Sequence, residues 1–408
     1  MKKYVIAGAS GRAYYLFAKS LKESFSDCAQ VTGVFDPNPL RAEKFKEIDP
    51  DYRIYTDFDL MLEREKPDAV IVTTVDRYHH EYIIRALEAG YDAISEKPLT
   101  IDAEKCRMIF DAQRRTGKKV IVTFNFRFMP YVTKVKEFLM NNSIGKILAV
   151  NLEYLLGKPH GSDYMRRWHA EMKNSSGMLV HKSTHHFDLV NWLIDDEPQS
   201  VSAQASLDFY GRNGKQLGEN CRTCPGKKEC EFYFDIAEHP LNRTLYLECE
   251  QGDGYIRDRC VFDPRINIYD NMSVSVRYRK GALLTYGLNL FNPYEGYKLN
   301  IIGEKGRIEA YDFMTGLNAP RQTTRTFDII YSEHEKQTVE FTEAKGSHGG
   351  GDAKMLEMLF RGGIPDTYHQ FPTAYDGAKS IMIGVAANES IRTGKKVDVS
   401  EFLDDLKK

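Results

Sequence analysis

The sequence predicts an α/β fold in two parts: a parallel sheet with helices between its strands, then an α+β domain built on a large, mostly antiparallel open sheet. Three observations carry this. Over the first 125 residues, short β-branched runs alternate with helical patterns, as in a parallel sheet. Beyond Phe124-Asn125-Phe126-Arg127-Phe128-Met129-Pro130 the period changes to extended alternating segments. The 408 residues, at roughly 150 per domain, also exceed what one small module needs.

The strands of the first part are expected at Tyr4 to Ala7, Val31 to Phe35, Ala69 to Thr73, Asp92 to Ser95 and Lys119 to Phe124. Between the first two, Ala13, Leu16, Phe17, Ser20 and Leu21 share one helical face. The turn leading into that helix reads Gly8-Ala9-Ser10-Gly11-Arg12-Ala13. It is a dinucleotide fingerprint with Ser for the second glycine and Ala for the third. Without a ligand it would be a tight strand-to-helix turn. As a phosphate site, Ser10 must tolerate the pyrophosphate or donate to it at the helix N-terminus. Asp36 ends the second strand, where a carboxylate accepts from both ribose hydroxyls and repels a 2′-phosphate, so NAD is favoured over NADP. Arg12 and Arg41 keep NADP open.

Two later loops leave carboxyl ends of strands, where open α/β sheets bind ligands. One is Thr73-Thr74-Val75-Asp76-Arg77-Tyr78-His79 and the other Ser95-Glu96-Lys97-Pro98. Topology alone places Lys97 in the crevice, and Pro98 restricts its backbone. A solvated lysine paired with Glu96 is the plain alternative.

In the second part, Ile147 to Leu156, Met272 to Arg279 and Leu283 to Leu290 read as strands, with turns at Gly281 and Glu304-Lys305-Gly306. Tyr375 to Arg392 reads as a helix ended by Gly394. Within Ser176 to Asp188, a helix would align His181, Thr184, His185 and Asp188 on one face. Two histidines one turn apart could ligate zinc, or could be a satisfied buried pair.

The fingerprint turn, Asp36, Thr74-x-x-x-x-His79 and Glu96-Lys97-Pro98 together resemble the Gfo/Idh/MocA family of NAD(P)-dependent oxidoreductases. The resemblance runs over most of the chain. It implies a Rossmann-type domain over 1–125 and a substrate-binding and oligomerisation domain over 126–408, with a cysteine-containing insertion at about 211–262. By resemblance Lys97 reaches the nicotinamide ribose and the substrate hydroxyl, and His185 takes the place of the catalytic histidine. His181 stands where the family more often has aspartate, and Lys182 and Asp76 are further departures. The swap at His181 is expected to remove a negative charge from the site.

These readings give catalytic candidates Lys97, His185, His181 and Lys182. Cofactor candidates are Gly8, Ser10, Gly11, Arg12, Asp36, Thr73, Thr74, His79, Glu96, Lys97 and Asn125. Arg127, Arg167, Trp168 and His348 are candidate substrate contacts, with Arg166 and Tyr154 beside them. His348 lies in Gly346-Ser347-His348-Gly349-Gly350-Gly351-Asp352, a glycine-rich loop that precedes a helix expected near Ala353. No catalytic metal is expected.

The expected reaction is hydride transfer between nicotinamide and a hydroxyl-bearing carbon of a sugar, polyol, inositol or glycoside. The resemblance also admits a glycosidase or lyase using tightly held NAD transiently, and a non-catalytic NAD-binding regulator. It implies a homodimer or homotetramer.

Composition limits the partners. Lys plus Arg number 56 against 58 Asp plus Glu, with no long run of one sign, so no nucleic-acid partner is expected. No apolar stretch approaches a membrane span, and the start of the chain lacks a signal-peptide pattern, so a cytoplasmic location is expected. Cys221, Cys224 and Cys230, followed by Cys249 and Cys260, read either as reduced thiols in an insertion or as a structural zinc site.

Overall fold

The computed structural model describes residues 1–315, 324–342 and 346–408. The first part is a six-stranded parallel sheet of β1 (Lys2–Ala7), β2 (Ala29–Phe35), β3 (Arg53–Tyr55), β4 (Ala69–Val72), β5 (Asp92–Ser95) and β6 (Val120–Val122). Their order is β3-β2-β1-β4-β5-β6, all parallel. The reversal of winding between β1 and β4 opens a crevice at the carboxyl ends of these two strands. The three-residue β3 is too short to have shown a period in the sequence.

Alternation along each strand sends Tyr4 and Ile6 to one face and Val5 and Ala7 to the other, and all four are buried. The Tyr4 face gathers Leu16, Phe17, Phe25 and Phe45. It also gathers Met355, Leu356, Met358 and Phe360, which sequence reasoning places in the second domain. The rings of Tyr4 and Phe360 meet edge to face at 5.0 Å. The chain therefore returns, after the second sheet, to cover the first.

That second sheet has nine strands: β7 (Ile147–Gly157), β8 (Pro198–Ser206), β9 (Asn271–Tyr278), β10 (Leu283–Asn292), β11 (Gly296–Gly303), β12 (Gly306–Phe313), β13 (Thr324–Ser332), β14 (Glu335–Thr342) and β15 (Val397–Asp398). Their order is β14-β13-β12-β11-β7-β10-β9-β8-β15. Every pair is antiparallel except β10 with β7. Gly281 (φ +101°) turns β9 into β10. Met272, Val274, Val276 and Tyr278 point inward while Ser273, Ser275 and Arg277 stay exposed.

Against the buried face lies the helix Ser183–Ile194, tied down by Ser183 Oγ to Tyr286 Oη at 2.9 Å and by Tyr278 Oη donating to Asn191 Oδ1 at 2.7 Å. Helix Ala374–Thr393 packs beside it and against β8, starting in a reciprocal Thr373–Asp376 cap and stopping at left-handed Gly394. Between β8 and β9 runs the cysteine-containing insertion, built of turns and short helical segments. No helix among the described residues is long and apolar enough to cross a membrane.

Candidate active site

A cavity of ≈ 1460 Å³ opens at the carboxyl ends of the first sheet and runs into the second domain. It is large enough for a dinucleotide and a small ligand together.

At one end, β1 runs into Gly8, whose φ of +99° and position allow no side chain: a Cβ would come 2.7 Å from the Thr74 nitrogen. Thr73 Oγ1 donates to the Gly8 carbonyl at 2.6 Å and holds the neighbouring loop against the turn. Ser10 Oγ accepts from the Ala13 N–H at 3.2 Å, so its hydroxyl helps start the helix. Asp36 is buried and accepts from the Ala9 N–H (2.7 Å) and the Asn38 N–H (2.8 Å), with Arg41 Nη1 at 3.4 Å. Burial pushes its carboxyl upward, and Arg41 pulls it back. The turn at Gly8, where no side chain fits, and the carboxylate at the end of β2 suit a dinucleotide.

Arg12 is not free for a phosphate. Its Nε bonds Glu96 at 3.1 Å and its two terminal nitrogens bond Asp352 at 3.2 and 3.0 Å. Asn125 Nδ2 joins the same group, donating to Asp352 at 2.6 Å and lying 3.0 Å from His348 Nδ1. The glycine-rich segment is thus anchored in the cavity wall: His348 also lies 3.0 Å from Asp352, and the helix begins at Gly351 rather than near Ala353. His79 bridges two loops, its nitrogens 2.8 Å from the Pro98 carbonyl and 3.0 Å from that of Thr74. The Lys97–Pro98 peptide is cis.

The other end is rich in imidazoles. Lys97 Nζ donates to the His181 carbonyl at 3.2 Å and sits 3.5 Å from His181 Nε2. His181 Nδ1 is 2.6 Å from Asp76 Oδ2. A carboxyl group still stands here: Asp76 supplies it from the other domain and adjoins Lys97 through the His181 ring, while burial raises its pKa well above the usual carboxylate value and Lys97 and Arg167 oppose that rise. The expected single helix is also corrected. Segment Met178–His181 ends before Ser183–Ile194, and the His185 N–H closes a tighter turn on the Lys182 carbonyl at 3.2 Å.

His185 stacks on Phe126 at 4.6 Å, and its Nδ1 is buried without a partner. Burial first, then the nearby cations Lys97 and Lys182, hold its pKa well below the usual histidine value. The ring is neutral near pH 7. Burial likewise lowers Lys97, against the opposing pull of Asp76. Lys182 is lowered to about 8 by burial, opposed by Glu295, and its ammonium lies 5.0 Å from the Tyr154 ring centre.

Not every candidate reaches the cavity. Arg127 is 2% exposed and is consumed by Asp188 (2.6 and 2.8 Å) and Asp376 (3.2 Å), so it braces the domain and is no substrate contact. Tyr154 stacks behind on His186 at 4.0 Å. Arg166 holds the insertion, donating to Cys221 Sγ at 3.1 Å and the Arg259 carbonyl at 3.3 Å. Cys221 is buried and so engaged, Cys230 is exposed, and the thiols of Cys221, Cys224 and Cys230 lie near enough to Cys260 to act on it. Among the described residues, no group of three or more His, Cys, Asp or Glu is placed to hold a metal. Arg167 and Trp168 do line the cavity.

Sequence reasoning passed over His169, stacked on Trp168 at 3.5 Å and 4.2 Å from the His181 ring, although it adjoins two named candidates. It also passed over the insertion's reach. Tyr246 Oη accepts from the Gly11 N–H at 3.1 Å, Asn38 Nδ2 donates to the Cys249 carbonyl at 2.8 Å, and Arg41 binds the Leu245 carbonyl (3.0 Å) and Asp253 (2.6 Å). The insertion is clasped over the fingerprint turn.

Residues 2–124 match the family model described as "Oxidoreductase family, NAD-binding Rossmann fold", and 136–399 match "Oxidoreductase family, C-terminal alpha/beta domain". The chain belongs to the Gfo/Idh/MocA oxidoreductase family. This Gfo/Idh/MocA protein is 36% identical to the oxidoreductase YteT of Bacillus subtilis (strain 168), over 98% of this chain and 99% of that one. It is 32% identical to an inositol 2-dehydrogenase of Rhodococcus erythropolis, over 42% of this chain and 47% of that one. Its fold is similar to the WlbA dehydrogenase of Chromobacterium violaceum, solved with NADH and UDP-GlcNAcA, with a TM-score of 0.66 at 18% identity, covering 97% of this chain and 95% of that one.

Proposed function

We propose that this oxidoreductase uses NAD, in preference to NADP, to oxidise a secondary hydroxyl of a sugar, polyol, inositol or glycoside, with Lys97 and His185 in acid/base roles. The observation that carries the reading is the chain Asp76–His181–Lys97 facing the same cavity as neutral His185 and the glycine turn. Gly8, Gly11 and Asp36 would hold the dinucleotide, which when bound supplies the hydride acceptor. An alcohol releases its proton only far above neutral pH, so hydride loss needs a base for the hydroxyl proton. His185, held neutral by burial, takes that proton. Lys97, its ammonium directed by the His181 carbonyl and ring, stabilises the oxygen as negative charge develops there. Asp76 fixes the His181 tautomer with Nδ1–H toward the carboxylate, leaving Nε2 to accept from Lys97. Buried Asp36 in the ribose position supports NAD over NADP. The similarity to an inositol 2-dehydrogenase supports the polyol class.

Incubation with NAD and a panel of polyols, sugars and glycosides tests the reading. NADH formation matched by a product two hydrogens lighter is expected, and none across the panel, with NAD bound, would remove it. A second reading, a glycosidase or lyase that recycles tightly held NAD, is favoured by one observation: the insertion clasped over the fingerprint turn. Glycoside cleavage or dehydration without net NADH would select it.

A further inference from the structure

Two guanidinium groups share one hydrogen-bonded carboxylate where the insertion meets the cavity. Arg257, only 5% exposed, donates from Nη2 to Asp163 Oδ1 at 2.5 Å. Arg167 donates from Nη1 to Asp163 Oδ2 at 3.2 Å. One carboxylate thus serves two guanidinium groups. Arg257 Nε and Nη1 and Arg167 Nε are buried with no hydrogen-bond partner. A buried N–H without an acceptor is costly, and a charged one more so, unless a ligand supplies the acceptor. Both arginines line the cavity. Arg257 is held in direction by aromatic faces, its guanidinium 5.6 Å from the Phe234 ring centre and 5.9 Å from that of Tyr246.

The position of this corner bears on what fills it. Asp163 precedes Tyr164, whose ring is 5.4 Å from that of His181, and Arg167 precedes Trp168 and His169, which pack against the same imidazole. The corner adjoins the Lys97 end of the cavity through Arg167 and reaches toward the fingerprint turn through Arg257, which shares the Tyr246 ring with Arg41 (5.9 and 5.5 Å). Planar guanidinium groups with free N–H donors suit a carboxylate or phosphate.

We infer that Arg257 and Arg167 form an oxyanion subsite that takes the carboxylate or phosphate of an acidic sugar. This rests on the polyol-oxidation reading only for the rest of the ligand; the anion preference is separable from turnover. The insertion then contributes to substrate choice, since Arg257 comes from it.

The test is equilibrium binding to the full-length, NAD-loaded protein. D-glucuronate, D-galacturonate and glucose 6-phosphate are compared with D-glucose and D-galactose, with NADH followed separately. At least one acidic sugar should bind about tenfold or more tighter than its neutral counterpart. Arg257→Gln should abolish that difference while changing NAD affinity less than about twofold. Arg257→Lys should retain part of it. Equal or weaker binding of all the acids would overturn the inference. So would an Arg257→Gln variant that loses NAD affinity as strongly as acid affinity, which would assign the guanidinium to the dinucleotide's pyrophosphate. If melting curves show Arg257→Gln to be unfolded, Arg167→Gln and Arg257→Lys carry the same comparison. Arg257-dependent acid binding without NADH would leave the subsite standing and sink the dehydrogenase, whereas NADH from neutral sugars with no acid preference would do the reverse.

Discussion

The two ends of the cavity are held by opposite electrostatic means. At the nucleotide end, charge meets charge: Asp36 with Arg41, Arg41 with Asp253, and Arg12 with Glu96 and Asp352. At the reacting end, burial dominates, and Lys97, His185 and Lys182 all hold protons less readily than they would in water. Paired charges fix geometry and resist titration, while desolvated bases change protonation state with small changes in surroundings. One cavity thus joins an end held by paired charges to an end of desolvated bases.

Substitutions at the reacting end should be the more damaging. Lys97→Ala is expected to lower kcat by roughly a thousandfold with NAD binding retained, read by steady-state kinetics beside cofactor titration. Full activity in that variant would sink the mechanism. His185→Ala should cost roughly a hundredfold or more. The wild-type pH profile sharpens the contrast. Because the His185 pKa is lowered, its proton-accepting form persists through pH 6.5, and the acid limb of kcat/KM should lie below that value. The alkaline limb should fall below the ordinary lysine value if Lys97 must stay charged.

Asp76→Asn tests the link between the domains. The Asp76 carboxylate raises the Lys97 pKa, so its removal should move the alkaline limb toward acid by about one pH unit or more. An unmoved limb would mean that Asp76 only orients His181. The smallest effect is expected at the nucleotide end, where Asp36→Ala should weaken NAD by about tenfold and narrow its preference over NADP, with kcat little changed.

The parallel sheet, the glycine turn, Asp36 and Lys97 were legible because each is local: a strand period, a turn that excludes side chains, a loop at a strand end. Asp76 was visible only as a departure, since its partner lies 105 residues away and no spacing announces such a contact. Arg127 looked like a ligand contact because an arginine beside aromatic residues carries no mark of the two carboxylates that consume it. Tyr246 and Arg257 gave no signal at all, for the insertion has little regular periodicity and takes its position from Asn38, Arg41 and Gly11. The helix read within Ser176 to Asp188 is broken in two because local hydrogen bonding at Lys182 overrides the apolar period.

The return of Gly351–Arg361 to the Tyr4 face has a consequence for how the molecule comes into being. A nascent chain that ends after the six parallel strands carries a partly uncovered apolar surface around Tyr4 and Phe25, because Met355 and Phe360 have yet to be synthesised. The amino-terminal half must wait for the carboxyl-terminal half before its core is closed. The two should melt together in a single cooperative transition, and a fragment ending at residue 125 should be sticky and unstable.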